Sequence, residues 1–251
     1  MQKDYYLKPS TINPDGSSPE RQKFKSAGYN ADLGIVAPNI YFKYDFQQEL
    51  DKLEFYNVGN MNGDQRNLKP GYKAVSFKSH DGKPDTYFAK PTEDYLDEEK
   101  PEHYKWTDLR DQCPHISAVI DWFKVPKTRV RIFQMQPGHW MPGHTDMENA
   151  RNTSTYGQVA RIFVQLNDNS KAEFGHRLIT QDSDISINLQ QGHCLVFNQD
   201  KVTHSAWNMS KDTTRNLLVM LIKRNEWLDN IMNGRSQPSV IDVAELVNTT
   251  N

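Results

Sequence analysis

No run in this sequence is long and apolar enough to span a bilayer. The opening Met1-Gln2-Lys3-Asp4-Tyr5-Tyr6 lacks the apolar stretch of a secretory leader. Cysteine is scarce: Cys113 and Cys194 are the only 2. A chain of 251 residues can bury one sizeable core and does not need a disulfide to hold it. Both are therefore expected as reduced thiols, in keeping with a cytoplasmic protein. An excess of one charge is also missing. Lys and Arg number 30 against 32 Asp and Glu, a net charge of -2, so no global basic field points to nucleic acid. No Ser-His-Asp order, phosphate loop or zinc-type cysteine spacing rivals the histidine and aspartate pattern of the chain's second half. No internal repeat divides the chain. What remains is an ordinary globular balance, 36% hydrophobic and 25% charged, which suits a single domain over 1–251.

The pattern along the chain changes near its middle. Residues 8–33 are polar and turn-rich and read as a loop or loosely attached arm. Phe46, Leu50 and Leu53 recur at helical spacing, predicting a helix over 45–55. Residues 73–78 and 85–90 flank Asp81-Gly82 as a hairpin with a longer loop. An acidic stretch from Glu93 to Glu102 follows. Ile116, Val119, Ile120 and Phe123 sit at i, i+3, i+4 and i+7 behind Pro114, the clearest helix signal in the chain. From residue 128 the period becomes extended. Strands are predicted over 128–136, 158–166, 184–189, 193–198, 203–208 and 214–223, separated by turn residues such as Pro137-Gly138 and Gln191-Gly192. Leu217 to Ile222 is apolar on both faces, as in a central strand. Short helices are expected over 225–232 and 239–247. Many short strands punctuated in this way predict a sandwich or barrel.

The chemistry concentrates in Met141-Pro142-Gly143-His144-Thr145-Asp146. In an extended chain, positions i and i+2 share a face. His144 and Asp146 can then aim an imidazole and a carboxylate at one point. His204 arrives much later, in Thr203-His204-Ser205-Ala206-Trp207-Asn208. Two imidazoles and a carboxylate on one side of an ion leave its other positions open, the facial arrangement of non-haem Fe(II) oxygenases. Arg215 opens the apolar strand that follows, where an arginine is costly to bury without an anion and well shaped to grip a carboxylate. Plainer readings stand beside these. A His-x-Asp tripeptide arises by chance, a strand histidine can be a hydrogen-bonded core residue, and Arg215 can be a structural ion pair. His139 and Trp140 fall at the expected mouth of the site. Arg151, Asn152 and Tyr156 lie in a polar insert after it, and Trp207 and Asn208 near His204 are candidate pocket residues. Cys194, after His193, reads as a small buried hydrophobe.

The stretch from Cys113 to Asp168 resembles the aspartyl/asparaginyl hydroxylase and proline hydroxylase branch of the 2-oxoglutarate/Fe(II) oxygenases. The residues that carry the resemblance are Pro114 to Phe123, Val130 to Gly138, His144-Thr145-Asp146, and Arg161-Ile162-Phe163-Val164-Gln165-Leu166-Asn167. Leu189 to Phe197, His204 and Arg215-Asn216-Leu217-Leu218-Val219 are similar to the same branch and to prolyl 4-hydroxylases. The resemblance covers about 113–223. It implies a mainly β fold, a double-stranded β-helix (the cupin-like jelly roll) with its core over 128–223. Residues 1–127 would brace it, including flanking N-terminal helices, and 224–251 would form a helical tail.

The resemblance also implies roles. His144, Asp146 and His204 would hold Fe(II), and Arg215 the distal carboxylate of 2-oxoglutarate. Arg161 matches a strand arginine that in some relatives helps hold the co-substrate, or it is an ordinary ion pair. The implied reaction is hydroxylation of an unactivated C–H bond with O2, releasing succinate and CO2, with ascorbate a possible stimulant. Asp146 favours hydroxylation over halogenation, since halogenating relatives carry a small residue there. Many relatives place Ser or Thr two residues after the arginine. This chain has Leu217, so another hydroxyl would be recruited. The substrate would be a small molecule, an amino acid, a peptide or a protein side chain, with no membrane partner. Two rivals differ in class: a cupin-like metalloenzyme that does without 2-oxoglutarate, and a metal-free jelly-roll binding module. An Arg215 pointing away from the metal pocket would favour the first rival.

Overall fold

The computed structural model describes residues 35–36, 40–58, 71–86, 101–144, 159–179, 184–197, 202–223, 225–232 and 239–249. The polar arm, most of the acidic stretch, positions 87–90 of the expected hairpin, Asp146 and the insert carrying Arg151, Asn152 and Tyr156 lie outside the described residues.

The chain begins with short pieces: β1 (Ile35–Val36), β2 (Ile40–Lys43), α1 (Gln47–Leu50) and β3 (Tyr56–Asn57). Then come β4 (Tyr72–Ser79), β5 (Lys105–Trp106), α2 (Leu109–Gln112) and α3 (Pro114–Trp122). The extended half follows as β6 (Lys127–Met135), β7 (Trp140–His144), β8 (Val159–Gln165), β9 (Phe174–Ile179), β10 (Asp184–Ile187), β11 (Cys194–Phe197), β12 (Thr203–Asn208) and β13 (Arg215–Lys223). It closes on α4 (Glu226–Met232), β14 (Ser239–Asp242) and α5 (Val243–Thr249).

Two antiparallel sheets carry the fold. The larger runs β1-β11-β8-β13-β6-β4-β3, with β5 also on β4, and the smaller runs β10-β9-β12-β7. From β6 to β13 the chain passes between them repeatedly: β6 larger, β7 smaller, β8 larger, β9 and β10 smaller, β11 larger, β12 smaller, β13 larger. This winding is the double-stranded β-helix, so the protein is a mainly β jelly roll.

The period of 2 along β13 sorts its side chains between two cores. Leu218, Met220 and Ile222 face outward and join Val130, Ile132, Ile162, Val164 and Val196 in one apolar cluster under α3. Leu217 belongs instead to a second cluster inside the roll, with Phe163, Leu178, Ile187, Leu189, Leu195, Phe197 and Val202. Apolar residues on both faces make β13 a central strand, paired with β6 on one side and β8 on the other.

α3 forms where the spacing predicts it. Pro114 fills its first turn, where a missing N–H costs nothing. Ile116, Val119 and Ile120 are buried on its inner face, each burial contributing roughly 1.5–3 kcal/mol. Its first N–H groups, which have no partner within the helix, meet a buried carboxylate. Glu49 Oε1 accepts from the His115 N–H at 2.9 Å and Oε2 from the Ile116 N–H at 2.9 Å. Glu49 comes from α1, a single turn where the sequence predicts a helix over 45–55. The first part of the expected tail helix is strand β14, which pairs in parallel with β2. β4 pairs with β3, β5 and β6. The turn after it is drawn together by Asp81, which accepts from Ser79 Oγ, the Lys83 N–H and Thr86 Oγ. Cys113 and Cys194 are both buried and free, as expected.

Candidate active site

The candidate residues fall in two rows, one on each sheet. On the smaller sheet, β12 pairs with β7 so that His204 stands opposite His144. The register then slips: Ala206 pairs with Met141, so β7 spends one more residue than β12. The extra residue falls at Pro142-Gly143, a sequence suited to a bulge because proline cannot donate to a ladder and this strand is at the sheet edge. Without the bulge, His144 would fall on the opposite face from Met141's partner row. The bulge brings positions 144 and 204 into register.

His204 is fully buried. Its ring lies 5.2 Å from Phe197 and 6.5 Å from Phe163, centroid to centroid. Nδ1 sits 3.5 Å from the Val202 carbonyl, at the long limit of a hydrogen bond. A carbonyl can only accept, so this contact favours the tautomer with its proton on Nδ1 and its lone pair on Nε2, the tautomer a metal ligand needs. Asp146 lies outside the described residues. Among the described residues no group of three His, Cys, Asp or Glu side chains gathers as a metal site.

On the larger sheet, Arg215 is 1% exposed. Its head reaches across the roll to the smaller sheet. Nη1 donates to the Gly175 carbonyl at 2.9 Å and lies 3.5 Å from that of Trp207. Nε donates to Gln165 Oε1 at 3.2 Å, and Nη2 faces His176 Nε2. Gln165 is oriented in turn: its Nε2 donates to Asn167 Oδ1 at 2.9 Å and to the Asn216 carbonyl at 3.2 Å. No carboxylate among the described residues pairs with Arg215. Burial pulls its guanidinium down to about 9, which still leaves a cation at neutral pH. A buried cation held only by neutral acceptors is costly, by several kcal/mol in typical cases, and an anion beside it would offset that cost.

His176 is the residue that sequence reasoning missed. It lies on β9, opposite Ala206 of β12 and Ile187 of β10. A guanidinium can only donate, so Nε2 accepts and the proton sits on Nδ1. Burial first, then the charge of Arg215 and the neighbouring His204, hold its pKa well below the ordinary histidine value, so the ring is neutral. Gly175 beside it is required by close approach: a Cβ there would lie 2.2 Å from the Trp207 ring and 2.5 Å from Asn188 Oδ1.

The remaining candidates are placed as follows. Arg161 stands on the same inner face as Arg215, but opposite Leu221 of β13. That is six positions, about 20 Å, along the strand from Arg215, so the two do not share one anion. The His139 ring lies over Gly71, where a Cβ would be 2.1 Å from it. Asn208 ties the turn between β12 and β13, its Nδ2 donating to the Met135 and Thr213 carbonyls. Trp207 contributes its carbonyl to Arg215 and its ring to the cover over Gly175.

The profile of the family described as Aspartyl/Asparaginyl beta-hydroxylase matches residues 49–225, a span that takes in every residue of the candidate site. The chain belongs to the aspartyl/asparaginyl β-hydroxylase family. No curated protein matches the sequence. Among solved structures, the β-hydroxylase family chain is similar to a 2OG-Fe(II) oxygenase family oxidoreductase from Burkholderia pseudomallei. The TM-score is 0.44 at 14% identity, covering 71% of this chain and 76% of that one. It is also similar to a Pseudomonas putida prolyl-4-hydroxylase, with a TM-score of 0.39 at 13% identity, covering 71% and 81%. Likeness at this level leaves the fold resting on the strand pairing itself.

Proposed function

We propose that this member of the β-hydroxylase family is an Fe(II)- and 2-oxoglutarate-dependent hydroxylase. His144, Asp146 and His204 would hold the iron, and Arg215 would take the distal carboxylate of 2-oxoglutarate. The observation that carries the reading is the buried Arg215 guanidinium, turned into the roll with no carboxylate partner among the described residues. Trp207, whose carbonyl it approaches, lies three positions along β12 from His204, about 10 Å of extended chain. That separation suits a short dicarboxylate with one end at the His144–His204 row and the other at the guanidinium. An Arg215 turned outward would have favoured a cupin-like enzyme without 2-oxoglutarate, and its inward direction supports the opposite.

The donor set fits the ion: neutral imidazoles and a carboxylate suit Fe(II) and leave positions open. When bound, the iron and 2-oxoglutarate would supply the oxidising chemistry, O2 serving to hydroxylate a C–H bond while succinate and CO2 are released. The chain's own residues supply placement and shielding. Phe163 and Phe197 pack around His204 and keep water from its ring. Gln165, Gly175 and His176 fix the guanidinium so that it meets a carboxylate without reorganising. Arg161, farther along the inner face, would meet whatever lies beyond Phe163. The substrate is an amino acid, a peptide or a protein side chain.

The test is a screen for substrate-stimulated succinate release, run with iron, ascorbate and 2-oxoglutarate against amino acids and peptides. Asp146→Ala should abolish turnover, and unchanged turnover in that variant would overturn the reading.

A further inference from the structure

Position 217, two residues after Arg215, carries leucine, so the strand that bears the guanidinium offers no hydroxyl beside it. A hydroxyl does stand nearby, on another strand. Tyr72 of β4 is the Cα partner of Met135 on β6, and Met135 is the partner of Arg215 on β13. The three form one row across the larger sheet, on its inner face. Neighbouring strands are about 4.8 Å apart, so Tyr72 and Arg215 stand about 10 Å apart at their backbones with the Met135 side chain between them. The Tyr72 ring packs with Tyr56 and Phe133 against Val58 and Ala74, which fixes its direction. Its hydroxyl oxygen is buried and has no hydrogen-bond partner among the described residues.

A buried hydroxyl without a partner costs free energy unless something else satisfies it. Among the described residues two such costs lie in one row: an orphaned O–H donor and a cation lacking an anion. One carboxylate over Met135 would meet both. Burial pushes the Tyr72 phenol up while Arg215 pulls it part of the way back, so it remains a protonated donor at neutral pH.

We propose that the Tyr72 hydroxyl is the second donor to the distal carboxylate of 2-oxoglutarate, replacing from β4 the hydroxyl that β13 lacks at Leu217. The proposal rests on Arg215 being the anchor of that carboxylate. Tyr72 is a binding residue for the co-substrate and has no part in moving protons.

The experiment is a binding titration on full-length protein loaded with a redox-inert divalent metal, with Tyr72→Phe and Arg215→Met beside the wild type. The probes are 2-oxoglutarate and pyruvate, which shares the 2-oxo acid end and lacks the distal carboxylate. Tyr72→Phe should weaken 2-oxoglutarate at least about tenfold, as expected for a hydrogen bond to a charged group, and leave pyruvate unchanged. Without ligand the variant should melt at or above the wild-type temperature, because an unsatisfied hydroxyl has been removed. A Tyr72→Phe protein that binds 2-oxoglutarate like wild type overturns the proposal. If Arg215→Met still loses 2-oxoglutarate, the reading of Arg215 survives that result. A wild type that binds both acids equally, with Arg215→Met silent, overturns both.

Discussion

Arg215 and His176 are joined by a contact that runs from one sheet to the other: Nη2 of the guanidinium faces Nε2 of a neutral imidazole. The pair lies 39 residues apart in sequence and meets inside the roll. It couples the arginine's position to the protonation of the ring. A protonated His176 would present an N–H to a guanidinium that can only donate, placing two cations together in a buried site.

A pH dependence follows. The folded-state pKa of His176 lies below the unfolded value near 6.5, because burial and Arg215 both oppose its charge. Below about pH 6.5 the unfolded chain therefore binds more protons at this residue than the folded one does, and stability falls as pH falls. Above that value the ring is neutral in both states and contributes no slope. Denaturant midpoints measured from pH 7.5 to 5 should decline more steeply for wild type than for His176→Gln. Parallel curves would mean that the ring is not held neutral.

At Gly175 a single methyl group is enough to disturb the site. Gly175→Ala would drive a Cβ into Trp207 and Asn188 and shift the carbonyl that accepts from Arg215. The expected cost is about 1–3 kcal/mol of stability, typical of overpacking, with weakened 2-oxoglutarate binding. Thermal melting and a binding titration check both. A variant with wild-type melting would show that the Trp207 ring can move aside.

The capping of α3 by Glu49 gives a prediction remote from the site. Glu49→Ala removes the acceptor for the His115 and Ile116 N–H groups and for His115 Nδ1. Loss of such a cap costs about 0.5–2 kcal/mol, and urea unfolding should show at least the middle of that range because the carboxylate is buried. The co-substrate affinity should not change, since α3 packs on the outer face of the larger sheet.

Cys113 predicts a chemical result. Burial pushes its thiol up to about 12, and thiolate is the reactive form. Cys113 and Cys194, both buried, should resist a thiol reagent at pH 8 in the native protein and react together once it is unfolded. Rapid modification of the native protein would contradict the packing described here.

Much of the fold is legible because certain segments bury their apolar residues with one clean period. Ile116, Val119, Ile120 and Phe123 mark α3 without competition from neighbours, and Leu217 to Ile222 is apolar on both faces, as a central strand is. β9 escaped notice because its alternation is spoiled by function: Gly175 is small to admit Trp207, and His176 is polar to meet Arg215. β14 is a four-residue strand whose pairing with β2 bridges about 200 positions, and no local pattern encodes such a partner. α1 stops after one turn because Glu49 and Leu50 are committed to distant contacts, one capping α3 and the other filling the core. At the candidate site, motif spacing singles out positions 144, 204 and 215, since histidine and arginine are unusual in apolar strands. Tyr72 and Gln165 carry no such mark, because their places beside Arg215 depend on a register across three strands and on the direction of one amide.

The central claim is that His144, Asp146 and His204 hold one ion between them, and anaerobic iron binding tests it most directly. Equilibrium dialysis against Fe(II), followed by metal analysis, should give one iron per wild-type chain. His144→Ala, Asp146→Ala and His204→Ala should each fall far below that while keeping the wild-type circular dichroism spectrum. Undiminished iron in all three well-folded variants would contradict the account.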